Sequence, residues 1–164
     1  LFTGRMRELI HLFKFEGRRS LAGVFADMAV STDSGIKAYI TGHEMFIPVP
    51  LAPSRYDTRG YNQSSLIARE LSRRVHVPFR KGSVVRRGHS RPQSSIGFFS
   101  ERLANMKDRF AIKRREQRYI KNRGILLIDD VLTSGATASA CARALLDAGA
   151  RSVDLFTIAR AVKK

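Results

Sequence analysis

Apolar and polar positions change period several times along this chain, and each change marks an element. Met6, Leu9, Ile10 and Phe13 recur at helical spacing while Arg5, Arg7, Glu8 and Lys14 fall elsewhere, which predicts a helix over 3–15 ended by Glu16-Gly17. Leu21, Val24, Phe25 and Met28 predict a second helix over 19–30, and Leu66, Ile67 and Leu71 a third over 62–74. Residues 45–50, Val84-Val85, 110–112 and 153–159 read as short strands, the last as a final buried one. Ile125 to Ile128 is a continuous apolar run, which suits a strand buried on both faces of a parallel sheet. After it Ala138, Cys141, Ala142, Leu145 and Leu146 return to helical spacing, and Gly149 supplies the stop. The stretch 31–42 is polar and turn-rich, and 86–100 has no regular period. Loops of that length in a compact domain are often lids or binding loops. Strands alternating with helices predict an α/β fold, with a mostly parallel central sheet flanked by helices.

The chemistry concentrates where the apolar run stops. Asp129 and Asp130 stand at the predicted strand's carboxyl end, and Thr133-Ser134-Gly135-Ala136-Thr137 leads into the last helix. A loop of small residues lets backbone N–H groups approach a phosphate, and Gly135 can adopt a conformation closed to other residues. The helix start adds unpaired donors and the positive end of its dipole. Thr133, Ser134 and Thr137 add hydroxyls. With a monoester phosphate in that loop, the two carboxylates lie about one sugar away, placed to accept from vicinal ribose hydroxyls. An ordinary strand–turn–helix is the plainer reading, but it leaves both the acidic pair and the hydroxyl-rich loop without a purpose.

A second block, Leu51-Ala52-Pro53-Ser54-Arg55 through Arg59 to Gln63, follows the first strand. Pro50 and Pro53 stiffen it, and Arg55 and Arg59 suit a diphosphate through forked donors.

These two blocks carry a resemblance. Residues 125–137 are similar to the phosphoribosyl-pyrophosphate signature of the type I phosphoribosyltransferases: four apolar residues, two acids, two apolar residues, then T-S-G-A-T. The block from Pro48 to Gln63 resembles the matching segment of the ComF (competence protein F) family and of amidophosphoribosyltransferases, and the likeness to ComF proteins covers nearly the whole chain. The resemblance implies a type I phosphoribosyltransferase fold with a flexible hood over the site. Asp129 and Asp130 would hold the ribose hydroxyls and Thr133, Ser134, Gly135, Ala136 and Thr137 the 5′-phosphate. Leu51, Ala52, Pro53, Ser54, Arg55 and Arg59 would form the pyrophosphate loop. Arg87, Ser90 and Gln93, then Glu101, Arg102 and Asn105, match the family's hood pattern. It implies Mg²⁺ as cofactor, carried by the ligand and by Asp129 and Asp130 rather than by a protein cluster. The implied partners are phosphoribosyl pyrophosphate or a nucleotide 5′-phosphate, and single-stranded DNA with the proteins of DNA uptake. The cysteine-rich, zinc-binding segment with which many ComF proteins begin is absent from this sequence.

Composition narrows the remainder. At 164 residues the chain is most economically one domain, residues 1–40 forming a helical part and 41–164 the core. No apolar run approaches the ~20 residues of a membrane span. One cysteine excludes an internal disulfide framework, His11, His43, His76 and His89 show no metal-ligand spacing, and a cytoplasmic location is the expectation. P-loop and dinucleotide-binding motifs are missing. The net charge of +16 favours polyanionic partners. Six of its cations lie in 113–123, a solvated hairpin or a polyanion contact, where Tyr119 could stack on a base. Three functions stay open: phosphoribosyl transfer to an unidentified acceptor, DNA handling, and nucleotide sensing without turnover.

Overall fold

The structure is a computed structural model that describes residues 4–87 and 109–161. It is an α/β fold built on β4 (Gly124–Leu132), which lies between β1 (Met45–Pro48) and β5 (Ser152–Arg160), both parallel to it. Residues 78–80 extend this sheet beyond β1, through Phe46 N to Pro78 O at 2.8 Å and Arg80 N to Phe46 O at 3.0 Å. A separate antiparallel pair, β2 (Val84–Arg86) and β3 (Phe110–Ile112), brackets the undescribed segment.

The apolar run of β4 is continuous because both faces of the strand are covered. Leu126 and Ile128, with Phe46, enter a core shared with α1 (Gly4–Phe15), α2 (Leu21–Ser31) and α5 (Gln63–Val75). Ile125 and Leu127, with Met45 and Ile47, enter a second core with Ala140, Cys141 and Leu145 of α6 (Ala136–Asp147). The alternation has the two-residue period of a strand, and all four β4 residues are at most 1% exposed. Cys141 is fully buried, and that burial pushes its thiol up to about 12, which makes it an inert packing residue.

Four expectations need correction. Residues 31–42 are not all turn: α3 (Ser34–Thr41) forms there because Asp33 Oδ1 accepts from Gly35 N at 2.6 Å and Ile36 N at 3.3 Å. Pro53 and Ser54 do not belong to a loop but open α4 (Pro53–Arg59), with proline in the first turn and Gly60 closing it at φ +70°. The basic segment is no hairpin: Arg114–Glu116 and Gln117–Ile120 are short helical turns whose Ile120 is buried. Finally, β5 is an edge strand on which only Ala159 is fully buried.

Candidate functional site

The carboxyl end of β4 opens into a cavity of about 140 Å³. Asp129, Asp130 and the whole run Thr133 to Thr137 line it. Opposite them stand Leu51 and Ala52 of the loop after β1, with Arg55 and Arg59 of α4. Both sequence blocks, some 70 residues apart in the chain, therefore meet in one place. Parallel pairing of β1 with β4 causes this, since it puts both strands' carboxyl ends on the same side; Val49 N donates to Ile128 O at 2.9 Å just before the two loops diverge. Pro53 and Ser54 lie outside the cavity wall. Arg87 is exposed, its N bonded to Arg109 O at 2.8 Å, and is also outside it. Ser90, Gln93, Glu101, Arg102 and Asn105 lie outside the described residues.

Each acidic residue is held differently. Ser64 Oγ donates to Asp129 Oδ1 at 2.9 Å, and Asp130 N donates to the same oxygen at 2.9 Å. Burial, reinforced by the neighbouring Asp130 charge, raises Asp129 from the ordinary 3.8 to about 6. Asp130 instead faces a cation, with Lys14 Nζ 2.8 Å from its Oδ2. Lys14 closes the last turn of α1, which is docked here through Tyr61 Oη donating to Phe13 O. The phosphate loop has the geometry its composition predicts. Gly135 sits at φ +74°, left-handed backbone that favours glycine, and its successor Ala136 opens α6. Ser134 Oγ accepts from Ala136 N at 3.4 Å.

Lys14, Ser64 and Arg86 of the wall were not foreseen from the sequence, and Gln63, which ends the second block, is given no role there. Arg86 is desolvated, which lowers its pKa, and its guanidinium lies 4.8 Å from the Phe110 ring. With Lys14, Arg55 and Arg59 it gives the cavity four cationic side chains against two carboxylates. That balance favours an anionic ligand. Among the described residues no group of three or more His, Cys, Asp or Glu could hold a metal ion.

The basic segment has its own internal partners. Arg80 Nε lies 2.8 Å from Glu116 Oε2, and its guanidinium covers the Tyr119 ring at 3.5 Å. Arg118 approaches the same ring at 4.6 Å, and the ring packs against the second core. Tyr119 is thus occupied by its own chain rather than offered to a base. Arg114, Arg115, Arg118 and Lys121 remain exposed. No described helix is long and apolar enough to cross a membrane.

Comparison with known proteins agrees with this architecture. Residues 62–164 match the family described as the phosphoribosyl transferase domain. The chain is 32% identical to competence protein ComFC of Bacillus subtilis, over 97% of this chain and 61% of that protein. It is 31% identical to DNA utilization protein YhgH of Shigella flexneri, over 93% of this chain and 66% of that one. It therefore spans less than two thirds of either relative's length. Among solved structures, glutamine phosphoribosylpyrophosphate amidotransferase from B. subtilis, complexed with ADP and GMP, superposes with a TM-score of 0.51. That likeness covers 87% of this chain and 26% of the enzyme at 13% identity, and it is one of fold. The chain belongs to the phosphoribosyl transferase domain family, and it is similar to proteins named for competence and for DNA utilization.

Proposed function

We propose that the cleft binds phosphoribosyl pyrophosphate together with Mg²⁺ and that the protein transfers its phosphoribosyl group to an acceptor. The observation that carries this reading is the meeting of Asp129-Asp130, the Thr133–Thr137 loop and the Arg55/Arg59 helix on one cavity. The loop and the start of α6 take the 5′-phosphate, the carboxylates accept from the ribose hydroxyls, and the arginines take the diphosphate. Displacement at ribose C1 breaks the bond to pyrophosphate, builds positive charge on the sugar ring and negative charge on the leaving group. Arg55, Arg59 and Arg86 are placed to stabilise the latter. Two carboxylates alone are too few to cage a metal, but Mg²⁺ is commonly held by one or two carboxylates plus substrate phosphates, so the donor set fits it. Bound there, Mg²⁺ would neutralise charge on the departing pyrophosphate.

Phosphoribosyl pyrophosphate with Mg²⁺ is expected to raise the melting temperature. At ~100 times its dissociation constant it should add about 2.7 kcal/mol, or roughly 5–10 °C for a domain of this size. Asp129→Ala combined with Asp130→Ala should lose most of the shift. A flat melting curve at millimolar ligand and Mg²⁺ would reject the reading. Turnover with candidate acceptors then separates an enzyme from a sensor.

A second reading, single-stranded DNA handling, has its own support in the +16 charge, in the exposed Arg114, Arg115, Arg118 and Lys121, and in relatives named for competence and DNA utilization. Log affinity for single-stranded DNA should then fall linearly with log salt, because neutralised phosphates release counterions. Replacing those four residues by alanine should flatten the slope by about 2–3, at ~0.7 per contact. An unchanged slope and affinity in the quadruple variant rules this segment out as the contact.

A further inference from the structure

Two buried donors in the wall of the cleft have no acceptor among the described residues. Among the described residues three buried side-chain polar atoms have no hydrogen-bond partner, and two of them, Gln63 Nε2 and Arg86 Nε, belong to residues lining this cavity. Folded proteins leave few such atoms, because a buried donor without an acceptor forfeits its bond to water and gains nothing back. Two in one cavity wall point to an acceptor that arrives with a ligand.

Gln63 is the better defined of the two. It is 1% exposed. Arg59 Nη1 donates to its Oε1 at 3.4 Å. Arginine has no acceptor, so the amide oxygen must be the end that faces Arg59; the NH₂ has the Tyr61 hydroxyl as its nearest neighbour but makes no hydrogen bond of normal geometry to it. The backbone beneath it is pinned. Asn62 Oδ1 accepts from Ser65 N at 3.3 Å to cap α5, and Asn62 Nδ2 donates to Val49 O at 2.9 Å. The next residue, Ser64, holds Asp129. Gln63 thus stands between the arginine expected on the diphosphate and the carboxylate expected on the ribose.

We propose that Gln63 contacts the ligand, its Nε2 donating to an oxygen of a phosphate-bearing anion while its Oε1 holds Arg59 over the cleft. This rests on reading the cleft as a phosphoribosyl pyrophosphate site, and adds to it an uncharged donor that both recognises the ligand and positions a cation.

The test is calorimetric titration of phosphoribosyl pyrophosphate with Mg²⁺, and separately of inorganic pyrophosphate with Mg²⁺. The proteins are the unmodified chain, Gln63→Glu and Gln63→Leu, each also melted without ligand. Glutamate keeps an acceptor for Arg59 but removes the donor; leucine removes both. A ligand contact predicts that both variants lose about ten- to a hundredfold in affinity for the donor, Gln63→Glu at least as much as Gln63→Leu. Without ligand, Gln63→Leu should melt no lower than the unmodified protein. Loss toward pyrophosphate as well places the contact on the diphosphate, and loss toward the donor alone places it on the ribose 5-phosphate. If Gln63→Glu does not fold, Gln63→Met, which like leucine removes both donor and acceptor but keeps an unbranched stem, carries the test of the contact. Affinity within about twofold of unmodified in Gln63→Glu, or in Gln63→Met in its place, overturns the contact. An unmodified protein that binds neither probe removes the parent reading and this one together, whereas unmodified binding with unchanged variants removes this one alone.

Discussion

Asp129→Asn is expected to make the ligand-free protein more stable at pH 7.5 and to weaken its binding of phosphoribosyl pyrophosphate. Burial raises this carboxyl from 3.8 to about 6, so the folded state holds its proton more tightly than the unfolded chain does. The charge penalty is therefore absent below pH ~4, grows as pH rises through the interval to ~6, and is fully present above it. At 1.36 kcal/mol per pH unit the cost at neutral pH is about 3 kcal/mol. Asparagine keeps an oxygen for Ser64 Oγ and Asp130 N and carries no charge to desolvate. The variant should melt about 5–10 °C higher than the parent at pH 7.5, with the gap closing near pH 4. Donor affinity should fall ten- to a hundredfold, the scale of a hydrogen bond to a charged group. In the unmodified protein, affinity should fall as pH drops below ~6, where Asp129 takes up its proton. A variant no more stable at pH 7.5 than at pH 4, relative to the parent, would mean that Asp129 is not held in the raised state.

That cost explains why the centre of the site was legible in the sequence. A pair of acids at the end of a buried strand opposes the local drive to apolar burial, and such conflicts concentrate at functional sites. Everything needed to see it lies within 125–137, contiguous in the chain. Strands β1 and β4 and the helices α1, α2, α5 and α6 were legible for a related reason, since each buries enough apolar surface to leave a clear pattern. The short elements did not. Helix α3 buries only Ile40 and α4 buries nothing, so periodicity is silent there and only end signals remained: Asp33 as a cap, and Pro53 with Gly60 as an opening and a stop.

The rest of the wall was hidden because it comes from other elements. Ser64 and Gln63 read as polar positions at the start of an amphipathic helix, and Arg86 as one arginine among many. Nothing local distinguishes a polar residue facing solvent from one facing a cleft; only the docking of α5 against β4 and of β2 against α6 makes the difference. Tyr119 shows the reverse case. An aromatic among cations resembles a base-stacking site in sequence, but Arg80, 39 residues earlier, takes one face of the ring.

Lys14 is the clearest of these hidden residues, and its removal should have the largest destabilising effect at the site. Its ammonium and the Asp130 carboxylate lie 2.8 Å apart with side chains only 18% and 14% exposed. Breaking a buried pair from one side leaves an uncompensated charge, which costs 3–5 kcal/mol when burial is complete. Lys14→Met should therefore destabilise the protein by about 3 kcal/mol at neutral pH. Methionine keeps the packing of the stem, so the loss isolates the charge. The loss should be largely relieved by Asp130→Asn in the same chain, giving a coupling energy of about 2 kcal/mol or more between the two positions. Lys14 is also one of the charges that hold Asp129 down, so the pH window for Asp129 should move upward in Lys14→Met. Denaturant unfolding of the four proteins of this cycle at pH 5 and pH 7.5 measures all three effects. Additive losses, with no relief in the double variant, would place the Lys14 ammonium in solvent and detach α1 from the site.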